Sequence, residues 1–162
     1  MPRAALYAGS FDPFTLGHLD IVRKSAALFD RVTVLIGVNV RKTRRFPAEP
    51  MAEAIRQTLR EAGIENADVV IHTGLIVDYC REHGIRYYVR GIRTPADYAY
   101  EESFAQVNAL LDPGLETLYL RADRPAVSAS MIRELMDFGH DVGDYLPGAV
   151  ERICMGEEGI RD

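Results

Sequence analysis

Short apolar runs recur along this chain with one helix-length segment between each pair, and that alternation constrains the fold more than any other feature. Ala4-Ala5-Leu6-Tyr7-Ala8 is followed by Leu19, Val22, Ala26 and Phe29 at helical spacing, which predicts a strand ended by Gly9 and a helix from about Leu16 to Phe29. Val32 to Val38 is β-branched and almost continuously apolar, the pattern of a strand covered on both faces in a parallel sheet. Beyond Pro47-Ala48-Glu49-Pro50, Met51, Ile55 and Leu59 mark a second helix, and Val69-Val70-Ile71 a third strand. Leu75, Ile76 and Tyr79 are expected to anchor a third helix that Gly84 ends, before a strand at Ile85 to Val89.

The second half repeats the pattern. Thr94-Pro95-Ala96-Asp97 combines an N-cap hydroxyl, proline at the first helical position and an acid in the first turn, so a helix should open there and reach Leu111. Glu116 to Leu120 reads as a fifth strand, Met131 to about Phe138 as a helix, and Ala149 to Met155 as a last short helix before a polar tail. Strands alternating with helices imply a Rossmann-like three-layer α/β fold around a five-stranded parallel sheet, and the length suits one domain over 1–162, with the terminal helix and tail from about 149. Ligands of such sheets bind beyond the carboxyl ends of the strands.

A formal charge of −5 argues against a surface built to hold nucleic acid. The N-terminal residues lack a signal-like apolar stretch, and no run approaches the roughly 18 to 20 apolar residues of a membrane span, so a soluble cytoplasmic protein is expected. Cys80 and Cys154 stand too far apart for a metal-spacing pattern, and His72, His83 and His140 have no spacing that suggests a metal site or a triad.

Four segments at the ligand face carry candidate chemistry. Gly9 to His18 places a glycine turn, the Ser10 hydroxyl and the His18 imidazole at a helix start, where unpaired N–H groups favour an anion. The helix dipole there opposes a protonated imidazole and should lower the pKa of His18. Arg41-Lys42-Thr43-Arg44-Arg45 follows the second strand; four cations in five residues read either as a solvated loop or as a source of positive potential. Arg90-Gly91-Ile92-Arg93, followed by Asp97, Tyr100 and Glu101, offers two guanidinium groups suited to a triphosphate, with a glycine expected to let backbone approach the ligand. Asp97 also reads as a first-turn acid that complements its helix dipole. Last, Ser128 and Ser130 stand at a helix start as caps or as ligands of phosphate.

The string Gly-Ser-Phe-Asp-Pro-Phe-Thr-Leu-Gly-His at 9–18 resembles the signature of nucleotidyltransferases with an H/T-x-G-H motif, here Thr15-Leu16-Gly17-His18. Together with Tyr7-Ala8 and the Arg90-to-Glu101 block, it is similar to the bacterial phosphopantetheine adenylyltransferase family over nearly the whole chain. The resemblance implies reversible transfer of AMP from ATP to 4′-phosphopantetheine, giving dephospho-coenzyme A and pyrophosphate in coenzyme A biosynthesis. By it, His18 stabilises the transition state, and Ser10, Lys42, Ile76 and Arg90 bind the acceptor. The same resemblance puts Ser10, Phe11, His18, Gly91, Ile92, Arg93, Glu101 and the stretch Arg124, Pro125, Ala126, Val127, Ser128, Ala129, Ser130 on ATP. It further implies a homohexamer, feedback inhibition by coenzyme A, and Mg2+ carried on the ATP phosphates with few or no protein carboxylates as ligands.

Three departures from that pattern stand out. Ala129 replaces a middle serine, Arg124-Pro125-Ala126 lacks the aromatic-Ser-Phe common there, and Pro47 to Pro50 replaces an acidic helix start. Two rival readings remain at this point: a sister enzyme acting on nicotinate mononucleotide or glycerol 3-phosphate, and a noncatalytic nucleotide sensor. The Thr15 form and the Arg90-to-Glu101 block oppose the first, and His18 with Lys42 opposes the second.

Overall fold

The computed structural model of the chain describes residues 2–123 and 127–156. Its elements run β1 (Ala4–Gly9), α1 (Leu16–Leu28), β2 (Arg31–Gly37), α2 (Ala48–Glu61), β3 (Ala67–His72), α3 (Ile76–Glu82), β4 (Tyr87–Gly91), α4 (Pro95–Leu111), β5 (Glu116–Leu120), α5 (Ala129–Asp137), a 3-10 turn at Gly143–Tyr145, and α6 (Gly148–Cys154). All neighbouring strands pair in parallel, in the order β3-β2-β1-β4-β5. The order reverses between β1 and β4, where successive crossovers leave in opposite directions and a crevice opens beyond the strand ends.

Alternation along β1 shows why the sheet needs helices on both faces. Ala5 and Tyr7 enter one core, with Leu19 and Val22 of α1, Met51 and Ile55 of α2, Ile132 of α5 and Val150 of α6. Leu6 and Ala8, one residue out of phase, enter a smaller core with Val77 and Cys80 of α3. The near-continuous apolar run of β2 has the same cause, since Val34 and Ile36 face the first core and Leu35 the second.

Element bounds follow local chemistry. Thr94 caps α4 as its sequence predicts: its hydroxyl accepts the Asp97 N–H, and the Asp97 carboxylate accepts the Thr94 N–H. α2 begins three residues before Met51, inside the proline segment, because a proline in the first helical turn gives up only an N–H that has no partner there. α5 likewise starts at Ala129, earlier than the apolar spacing suggests, because Ser128 supplies its cap. β4 lies two residues further on than expected, so Arg90 and Gly91 are strand residues.

The third helix corrects an expectation. Leu75 is 60% exposed and only precedes the helix, Ile76 is half-buried, and Val77 and Cys80 form the buried face. Gly84, at φ 65°, ends the segment in the left-handed region that favours glycine.

Candidate active site

The crevice between the ends of β1 and β4 is a cavity whose walls come from both strands and from the starts of α1, α4 and α5. Ser10, Phe11 and His18 line one side, and Arg90, Gly91, Ile92, Arg93 and Glu101 the other. Val127, Ser128 and Ala129 close it from the start of α5. Residues as far apart in sequence as Tyr7 and Ala129 thus meet in one place because the sheet order reverses there.

His18 is the third residue of α1 and completes a capping box. The Thr15 hydroxyl accepts the His18 N–H at 3.2 Å, while His18 Nδ1 accepts the Thr15 N–H at 2.9 Å. An Nδ1 that accepts must be unprotonated, so the neutral ring carries its proton on Nε2. Burial, reinforced by the positive charges of Arg90 and Arg93, pushes the His18 pKa down to about 3. The sequence reading expected this direction from the helix dipole; desolvation and the two arginines are the larger causes. The ring packs against Phe11 at 5.0 Å and Phe14 at 5.5 Å between centroids, with Tyr7 at 6.4 Å. These contacts fix its orientation without ionising it.

Arg90 is arranged in the opposite way. Its Nε and Nη2 donate to the two Glu101 carboxylate oxygens, each at 2.8 Å, and its Nη1 donates to the Ala8 carbonyl and to the Tyr88 hydroxyl. Four of the five guanidinium N–H groups are therefore committed within the described residues. Glu101, a nucleotide-site residue by the resemblance, is here the partner of Arg90, and the pair stands 25% and 12% exposed at its side chains. The Glu101 carboxylate and the hydrogen bonds it accepts hold the guanidinium pKa above its ordinary value, against the opposing effect of burial.

Arg93 leans on Asp97, whose carboxylate also accepts the Arg93 backbone N–H at 3.0 Å. The first-turn role read for Asp97 is thus present, with a second task added. Gly91 has a packing reason: a Cβ there would lie 3.2 Å from Ile21 Cγ1 of α1. The close approach seen here is to a helix, while Gly91 also lines the cavity where an approach to ligand is expected. Ser128 caps α5 by accepting the Met131 N–H, and its oxygen lies 3.5 Å from that of Ser130. Arg124, Pro125 and Ala126 lie outside the described residues.

Two expected acceptor residues are not in this cavity. Lys42 is exposed on the loop after β2, its side chain without a partner among the described residues. Ile76 lines a second cavity between α3, β4 and α4, with Leu75, Phe104, Asn108 and Leu111. Arg90, Tyr100 and Glu101 belong to both cavities, so the Arg90–Glu101 pair stands at their junction.

The cation run around Lys42 also separates into distinct roles. Arg44, in a run that reads either as a solvated loop or as a source of positive potential, has a side chain only 14% exposed and donates to the carbonyls of Ser10, Phe11 and Phe46. Arg45 pairs with Asp137 and reaches the Arg133 carbonyl on α5. Asp12 accepts the Arg45 and Phe46 backbone N–H groups at 2.9 and 2.8 Å, so the loops after β1 and β2 are sewn together. Phe11 adopts φ 45°, costly for a bulky side chain by about 1 to 3 kcal/mol and tolerated where surrounding contacts dictate it. Sequence reasoning passed over this framework, and over Tyr7 as a wall residue. The visible signal was an aspartate in a glycine turn followed, some thirty residues later, by arginines at the next strand's end.

A switch-point cavity with a helix N-terminus, a neutral imidazole donor and two arginines defines a protein that handles nucleotide phosphates. The cytidylyltransferase-like family matches residues 6–135, and the chain belongs to that family of nucleotidyltransferases. A phosphopantetheine adenylyltransferase of Porphyromonas gingivalis is 44% identical over 145 residues, covering 88% of this chain and 93% of the relative. Those of a Nocardioides species (45%, 90% and 91% covered) and of Thermotoga neapolitana (41%, 91% and 92% covered) match equally fully. Within the family the chain is therefore an enzyme of the phosphopantetheine adenylyltransferase group. A crystal structure of a "putative nicotinate-nucleotide adenylyltransferase" from Vibrio parahaemolyticus superposes with a TM-score of 0.72 over 97% of this chain and 94% of its own, at 15% identity, and shares the fold.

Proposed function

We infer that the two joined cavities transfer AMP from ATP to 4′-phosphopantetheine, releasing pyrophosphate and forming dephospho-coenzyme A. The observation that carries this reading is His18, held neutral with its proton on Nε2 in a cavity that also holds Arg93 and opens onto a second, largely apolar cavity. The acceptor phosphate is an oxyanion nucleophile already, so the reaction needs no general base. A phosphate oxygen forms the new bond to the α-phosphorus as the bond to the bridging oxygen breaks, and that electron pair leaves with pyrophosphate. The protein's task is to bring two polyanions together and to meet charge on the nonbridging oxygens. A neutral N–H donor does this without giving up its proton. His18 supplies that donor, Arg93 with Ser10 and the α5 start holds the triphosphate, and Lys42 swings from its exposed loop onto the acceptor phosphate.

The second cavity suits the acceptor's arm. Leu75, Ile76, Phe104 and Leu111 offer apolar wall and Asn108 an amide, which fits a chain of methyl groups and amides better than a second charged nucleoside. ATP enters as its magnesium complex. By family likeness the ion would be carried on the phosphates; Asp97 and Glu101 are engaged with arginines. Family likeness makes coenzyme A, which carries both the arm and an adenosine, the expected feedback inhibitor. α4 buries none of its side chains and exposes Phe104, Val107 and Leu110, which supports an assembly of copies, a homohexamer by family likeness. No helix among the described residues is long and apolar enough to cross a membrane, and we place the reaction in the cytoplasm.

Pyrophosphate release with ATP and each of four acceptors at equal concentration tests the reading. 4′-Phosphopantetheine should react fastest, pantetheine without its phosphate not at all, and nicotinate mononucleotide and glycerol 3-phosphate poorly. A faster rate with either of the last two would overturn the acceptor assignment and leave adenylyl transfer standing.

A further inference from the structure

We propose that Arg44 is a positioning residue for the nucleotide: by gripping the Ser10 and Phe11 carbonyls from behind, it fixes the turn and aims the Phe11 backbone N–H toward the cavity as a phosphate donor. The inference deepens the functional reading above and rests on it. In a trans peptide the N–H points opposite to the carbonyl of the preceding residue. Arg44 Nη1 takes the Ser10 carbonyl and Nη2 takes the Phe11 carbonyl at 3.2 Å. The N–H group of Phe11, which shares the peptide plane of the Ser10 carbonyl, is thereby aimed away from the guanidinium. Arg44 does not line the cavity, whereas Ser10 and Phe11 do, so the face opposite Arg44 is the ligand side.

Phe11 at φ 45° holds this turn in the left-handed region, a conformation that a bulky residue keeps only where surrounding contacts dictate it. The grip is built rather than incidental. Arg44 Nε donates to the Phe46 carbonyl at 3.0 Å, the Asp12 carboxylate holds the Phe46 N–H, and Arg133 Nη1 donates to the Asp12 carbonyl at 2.6 Å. Burial lowers the guanidinium pKa, with the Asp12 charge opposing that shift, yet the group stays cationic. Its charge thus sits behind the turn and adds to the positive potential at the Phe11 N–H. A lysine at this place has a single ammonium on a flexible stem and cannot hold three carbonyls in a fixed fork.

The test compares wild-type protein with R44A, R44K and R45A, the last as a control because Arg45 grips α5 and leaves the Ser10–Phe11 carbonyls alone. ATP and inorganic pyrophosphate binding are measured by calorimetry, KM for each substrate by pyrophosphate release, and melting temperature alongside. R44A and R44K should both weaken ATP and pyrophosphate by about tenfold, the worth of one charged hydrogen bond, while the phosphopantetheine KM changes by less than about threefold. R45A should lower the melting temperature and leave ATP affinity unchanged. Wild-type ATP affinity in a folded R44K overturns the proposal alone, as does an equal loss for both substrates that tracks melting temperature across R44A and R45A. Absence of ATP binding by the wild type overturns the proposal together with the function on which it rests.

Discussion

The two walls of the cleft solve the problem of a buried polar group in opposite ways. On the β1–α1 wall, His18 is kept uncharged: burial, two nearby arginines and a backbone N–H at Nδ1 leave one tautomer, and three aromatic neighbours hold the ring. On the β4–α4 wall, Arg90 keeps its charge and spends it on Glu101, Ala8 and Tyr88. The first wall is ready to meet a transition state without rearrangement. The second must exchange some of its internal hydrogen bonds for those of a ligand, and until then those bonds stabilise the fold. Catalytic readiness and structural strength are thus divided between two sides of one cavity.

The largest effect expected from breaking this division is on turnover at the His18 wall. His18→Ala should lower kcat by about 100- to 1,000-fold, since it removes a donor whose value is realised mainly in the transition state, and should leave ATP affinity within a few-fold. Steady-state kinetics with calorimetry checks both halves; wild-type turnover would remove His18 from the mechanism. Glu101→Gln should do the reverse. It leaves the Arg90 charge half-buried without its counter-ion, at a cost of about 1 to 3 kcal/mol in stability, while kcat stays within about tenfold. Chemical denaturation with parallel kinetics separates the two. A large loss of kcat at full stability would show that Glu101 belongs to the chemistry.

The sequence made one wall far more legible than the other. The ten residues at 9–18 are contiguous, and a glycine turn, a hydroxyl and a histidine at a helix start name an anion site whatever follows. The Thr94 cap and the apolar runs of β2 and β5 were equally local, and their bounds could be read from single residues. The Arg90–Glu101 pair joins two elements eleven positions apart, and nothing in either residue shows that they face each other before α4 packs on β4. Arg44 was harder still. A run of cations reads as a solvated loop or as a source of positive potential, and only the meeting of two loops, each after a different strand, buries one of the four. The α3 face was read only in part for a simpler reason: Ile76 and Tyr79 do pack against the smaller core, but in seven residues apolar positions allow more than one face, and the choice of Val77 and Cys80 as its buried centre is made by the sheet beneath.

The state of His18 can be observed without substrate. A histidine buried neutral binds its proton less readily folded than unfolded, so the stability it contributes is complete above about pH 6.5 and is lost as pH falls from there toward about 3. Nitrogen-resolved NMR of the imidazole, followed from pH 8 to the acid limit of the fold, reads both proton occupancy and tautomer. The ring should remain neutral with its proton on Nε2 through pH 5. A His18 that protonates near pH 6.5, or carries its neutral-state proton on Nδ1, would contradict the account of how this site meets the charge of a transferring phosphate.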